Sequence, residues 1–221
     1  MADSEKDERD VAIIPNEEDA SFFDRMMHHL QLTEGTEIAR RYFAMNAFDG
    51  ILPVVGIIMG GFISLVNQEP RFVFATVLLG SIGTAIAMFI SGISSSYLTE
   101  QAERKRAVKE LGKSMLADMS HTIYAEASRT TTLIVSVING ISPTLAALGT
   151  ISPMFLSALG ILDPVIAMYL SIVAGLFLLF SLGLFLGKIS KVNIWISGLK
   201  TLSAGFLTVL MMLVIQILTS T

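Results

Sequence analysis

The 221 residues contain no cysteine, so disulfides and thiolate-held metals are excluded. Charge is scarce too: 15% of residues are Asp, Glu, Lys or Arg, where an ordinary soluble domain carries about 25%. That charge is crowded into residues 3–41, 100–129 and 188–191. The stretches between are almost bare, 52% of the chain is hydrophobic, and mean hydropathy is +0.67. This distribution excludes one large water-soluble core and implies several membrane spans. A basic surface for nucleic acid is missing, because the net charge is −4 and the acidic excess lies mainly in the first twenty residues. No Gly-rich phosphate loop precedes a helix, and the charged segments hold no nucleophile–base set. Neither an enzyme nor a bound cofactor is therefore expected. The opening MADSEKDERD is too charged for a secretory signal, so the first apolar segment is expected to remain as a membrane helix.

What is present is a series of long apolar runs. A helix needs about 20 such residues to cross ~30 Å of hydrocarbon. Tyr42–Val66, interrupted by Asp49, is the first candidate and Phe72–Thr99 the second. Thr130–Leu162 is uncharged but too long for one span, and Pro143 and Pro153 punctuate it. It reads as a third span over 130–151 and then a short outer turn or partly embedded segment. Pro164–Gly187 and Val192–Leu218, the latter interrupted by Lys200, complete the set. The expected fold is all-α: a multi-pass protein with five transmembrane helices, two in residues 39–99 and three in residues 130–221. Orientation follows from basic residues in short loops. Arg25, Arg40 and Arg41 precede the first span, six Lys or Arg between Arg104 and Arg129 follow the second, and Lys188 and Lys191 follow the fourth. The other side has only Arg71. Five spans put all three basic segments on one side, which places the N-terminus in the cytosol and the C-terminus outside. In a prokaryote the membrane is the cell membrane.

The charged segments divide further. Residues 1–20 read as a disordered acidic tail. Residues 21–38 read as a cytosolic amphipathic helix, with Phe22, Phe23, Met26, Met27 and Leu30 opposite Asp24, Arg25, His28 and His29. Residues 100–129 read as a short cytosolic helical hairpin: the second span continues to Gly112, and KSMLADMSHTIYAEASR returns as a second helix. Glu100, Glu103 and Glu110 fall on one face of the first helix; Asp118, His121 and Glu126 lie on the second, beside Met115 and Met119. Two readings stand. These groups collect a divalent metal, or they form a solvated face in which Glu103 pairs with Arg106, and Glu110 with Arg106 and Lys113.

Within the apolar runs, a carboxylate costs about 2.5–3.5 kcal/mol on insertion scales. Asn46 and Asp49 are three residues apart and are expected on one side of the first span. Asn139 lies in the third span, and Lys200 lies in the fifth at a similar cytosolic depth. Asp49 and Lys200 suit a structural ion pair in a non-transporting scaffold or metal sensor. Asp49 and Asn46 equally suit an oxygen-ligand cluster for a divalent cation, with sulfur from Met45, Met59 or Met88. Gly56 with Gly60, and Gly183 with Gly187, are spacings that let helices approach closely, often between protomers.

Three stretches carry a resemblance: FDGILPVVGIIMGG, then SSYLTEQAE, then GKISKVNIWISGLKTLSAGFLTVLMMLVI. In this order they resemble the vacuolar iron transporter family, over roughly residues 39–219. That family has an Asp-Gly pair and a proline in the first span, matched by Asp49, Gly50 and Pro53. Its second span ends in a small-residue-rich Tyr-Leu and continues into a Glu-bearing helix, matched by Ser95, Ser96, Tyr97, Leu98 and Glu103. The family often has a Met five residues before the Tyr-Leu; here that residue is Gly92, with Met88 one turn earlier. The resemblance implies export of Fe2+, often also Mn2+, from the cytosol by proton antiport. It implies a homodimer with the ion path between the two copies. Asp49 would be a metal ligand and proton carrier on that path, with Met88 in place of the missing methionine. Glu100, Glu103 and Glu110 would collect metal below it.

Overall fold

A computed structural model describes residues 35–119 and 122–219. The acidic tail, most of the amphipathic segment (with His28 and His29) and His121 lie outside the described residues. Among the described residues there are six helices and no strand: α1 (Gly35–Ser64), α2 (Pro70–Met115), α3 (Ile123–Thr150), α4 (Ser152–Ala158), α5 (Pro164–Ile189) and α6 (Ile194–Thr219). All but α4 are long and apolar enough to cross a membrane, and the chain is a multi-pass membrane protein on that ground.

The helix starts are written in the sequence. Pro70 and Pro164 occupy first-turn positions, where the missing N–H costs nothing. Asp163 Oδ1 accepts from the Val165 and Ile166 amides at 2.9 and 3.3 Å, and Asn193 Oδ1 accepts from those of Trp195 and Ile196. Thr122 Oγ1 caps α3 by accepting from the Ala125 amide.

α1 sits centrally, touching α2, α3, α5 and α6. α2 and α3 form the largest helix pair, and α6 packs on α5 and the edge of α1. The main core joins Val54 and Ile58 of α1, Val77 of α2, Ala147 of α3, Met154 of α4 and Met168 of α5. Closest approach depends on glycine. A Cβ at Gly50 would overlap the Pro143 carbonyl of α3, and one at Gly92 would stand 2.8 Å from the Gly140 Cα. Gly183 and Gly187 meet Gly198 and Ser197 of α6 in the same way. That GxxxG is a close approach between two helices of one chain.

Three boundaries differ from the sequence reading. Residues 35–38 belong to α1 and not to a separate amphipathic helix. The second span continues past Gly112 to Met115 as one helix of 46 residues. It ends where Leu116 takes a left-handed φ of 51° and the Ala117 amide bonds back to the Gly112 carbonyl at 3.1 Å. The returning arm becomes helical only at Ile123 and is continuous with the third span. Met115 thus falls at the helix end and Met119, like Asp118, in the turn, so the two methionines form no stripe on a second helix.

Candidate functional site

Asn46 and Asn139, of the polar residues in the apolar runs, meet where α1, α2 and α3 come together. Asn46 Nδ2 donates to the Tyr42 carbonyl at 2.8 Å and to Asn139 Oδ1. Asn139 Nδ2 donates to the Gly92 carbonyl at 3.4 Å, and Ser142 Oγ donates to the Phe43 carbonyl at 2.5 Å. The Tyr42 hydroxyl donates to Glu100 Oε1 at 3.2 Å, and Arg104 Nε donates to Glu100 Oε2 at 3.1 Å. The result is a ladder running from Arg104 through Glu100, Tyr42 and Asn46 to Asn139 and the backbone of Gly92. Such bonds are retained between helices because an unmade one has no water to turn to.

Asn46 and Asp49 were expected on one side, and the structure parts them. Three residues advance a helix by 300°, so their directions differ by about 60°. Asn46 turns to α3. Asp49 falls on the exposed stripe of α1, with Met45 and Pro53 one turn to either side. Further along it, a Cβ at Gly56 would touch nothing within 4 Å. Lys200 is exposed on α6, and the expected Asp49–Lys200 pair is not formed: among the described residues the ion pairs are Arg104–Glu100 and Arg106–Glu110.

Glu100, Glu103 and Glu110 do not act as one face either. The buried side of α2 runs Val73, Val77, Ser81, Ala85, Ser96, Glu100. Glu100 continues that line and is 6% exposed. Glu103 is exposed. Glu110 is exposed and pairs with Arg106 at 2.8 Å; that hydrogen bond holds its carboxyl below the ordinary carboxylate range. Glu110 with Arg106 is the solvated-face pairing; Glu103 with Arg106 is not formed. Met88 packs partly buried against the main core, on the inner side of α2 and not on the Asp49 stripe. Asp118 lies in the turn and Glu126 is exposed in the first turn of α3. Among the described residues, no three His, Asp or Glu side chains converge where a metal could sit.

Sequence reasoning passed over Tyr42 and Arg104, the two partners of Glu100. The readable signal was the row on α2 that steps by four from Val73 to Ala85, by eleven (three turns) to Ser96 and by four again to Glu100.

No protein-family model matches the chain, and no solved structure matches it. It is similar to the "uncharacterized protein MJ0645" of Methanocaldococcus jannaschii, at 31% identity over 186 residues, covering 81% of this chain and 90% of that protein. At that identity and coverage, the chain belongs to the same family as the M. jannaschii protein.

Proposed function

We propose that the protein exports divalent metal ions, Fe2+ and also Mn2+, from the cytosol in exchange for protons, as a homodimer in the cell membrane. One observation carries the reading: the carboxylate of Asp49 lies on an outward stripe of a membrane helix, with no ion-pair partner among the described residues. A carboxylate at that depth is not left against lipid; it faces a bundle interior, a partner charge or water. A second copy covering this stripe would turn it inward and bring two Asp49 carboxylates to one path. Two hard oxygen ligands and their protons suit a divalent cation exchanged against H+. The order of motifs shared with vacuolar iron transporters supports the same cargo. The exposed Glu103 and Glu110, with the exposed Asp118 and Glu126, form the intake side. Asn46 serves as a support that fixes α1 against α3.

The basic segments put residues 1–41, 100–129 and 188–191 in the cytosol. Cysteines introduced at Asp118 and Lys191 should label from the cytosolic side, and one at Thr221 from outside. The function is tested in proteoliposomes with a divalent-sensitive dye. Wild type takes up Fe2+ or Mn2+ and moves protons the other way, and Asp49→Ala does neither. Equal flux by Asp49→Ala would sink the proposal.

A further inference from the structure

Between the lower half of α2 and the start of α3 lies a cleft of about 740 Å³. Its lining combines two kinds of residue. Lys105, Lys109 and Arg129 are exposed along it. Among the described residues, none of the three has a carboxylate within ion-pair distance, since Arg104 and Arg106 hold the two pairs that form. Val108, Ala125 and Leu133 give it an apolar floor. The cleft follows α2 from Tyr97 to Lys113, about 24 Å at 1.5 Å per residue. The Tyr97 end belongs to the apolar spans, and Leu133 there is 56% exposed. Asp118, in the turn, lines the opposite end.

We propose that this cleft binds an anionic phospholipid, with its phosphate held by Lys105, Lys109 and Arg129 and an acyl chain leaving past Tyr97 and Leu133 into the membrane. Cations alone would serve any anion, and the chain's own acidic residues 1–20 supply negative charge as well. The apolar end decides between them. It opens at the level of the spans, where acyl chains lie and an acidic peptide has nothing to gain. Tyr97 at that level also suits the headgroup boundary, where amphipathic rings collect. Basic clefts between membrane helices are the sites that select anionic headgroups. The inference needs only that the protein spans a membrane, so it stands or falls separately from metal export.

The test uses the full chain in detergent, titrated with phosphatidylglycerol and with phosphatidylcholine of matched chains, and bound lipid counted by native mass spectrometry. Phosphatidylglycerol should bind at least about tenfold more tightly. With roughly 1 kcal/mol for each basic side chain, Lys105→Gln/Lys109→Gln/Arg129→Gln should weaken it on the order of 100-fold, leaving phosphatidylcholine unchanged. All three side chains are exposed, and the wild-type comparison of the two lipids needs no variant. Equal binding of the two lipids overturns the site, as does a triple variant that keeps the preference. So does displacement by inorganic phosphate at equal concentration, which would make the cleft a plain anion site. Phosphatidylglycerol binding that emerges only after deletion of residues 1–20 would assign the cleft to the acidic segment instead.

Discussion

Asp49 and Glu100 stand on neighbouring helices and have opposite surroundings. Asp49, inside an apolar run, lies on an open stripe; Glu100, in the charged hairpin, is buried and holds two partners. Composition suggests the reverse. What separates them is helix phase. Glu100 extends the small-residue line of α2 and meets Tyr42, while Asp49 sits on the side of α1 that none of the described helices covers. Burial within one protomer therefore marks the acid that builds the bundle. The proposed transport chemistry rests on the exposed one.

Four variants test that division. The largest effect belongs to Asp49→Asn, which keeps the size and removes the charge. Transport should fall to the level of protein-free liposomes while the thermal midpoint in detergent hardly moves. A destabilised Asp49→Asn rescued by Lys200→Met would assign Asp49 to a structural pair. Glu100→Ala should do the opposite. It leaves Arg104, 13% exposed, and the Tyr42 hydroxyl without their acceptor, at a cost of about 2–3 kcal/mol. Thermal unfolding should register that loss, and the metal affinity of whatever protein stays folded should be unchanged. Gly92→Met installs the residue vacuolar iron transporters often have there. In this chain it meets the Gly140 backbone and should cost about 1–3 kcal/mol by overpacking, read as a lower thermal midpoint. The smallest structural effect is expected of Glu103→Gln/Glu110→Gln. Both side chains are exposed, so the midpoint should stay put while calorimetry shows weaker divalent binding. Unchanged binding would make them an ordinary solvated face.

The five long helices were legible because length and composition determine a span, and the runs from Tyr42 to Leu218 supply both. Pro153, in the first turn of α4, is an equally local signal, whereas Pro143 lies inside α3 and ends nothing. The caps at Asp163 and Asn193 are local too, but the sequence reading did not use them. The site was less so. Asn46 and Asp49 three apart look like a pair on a helical wheel, yet about 60° decides which one meets Asn139. The end of α2 depended on Leu116 adopting a backbone conformation that leucine rarely takes, and no propensity in KSMLADMS announces it. Tyr42–Glu100 spans 58 positions and becomes visible only once two helices are set in register.

α2 is one unbroken rod of 46 residues, about 69 Å long at 1.5 Å per residue. Gly92, where it crosses Gly140, stands near its midpoint, with about 33 Å on one side and about 35 Å on the other. Mechanically this is a beam on a central fulcrum with nearly equal arms. A tilt of about 5° about that crossing swings each tip by about 3 Å in opposite senses, with no bend required of the helix. Such a tilt would move the Pro70 end, beside the membrane, and the Met115 end, about 24 Å beyond the apolar run that stops at Thr99, by nearly equal amounts.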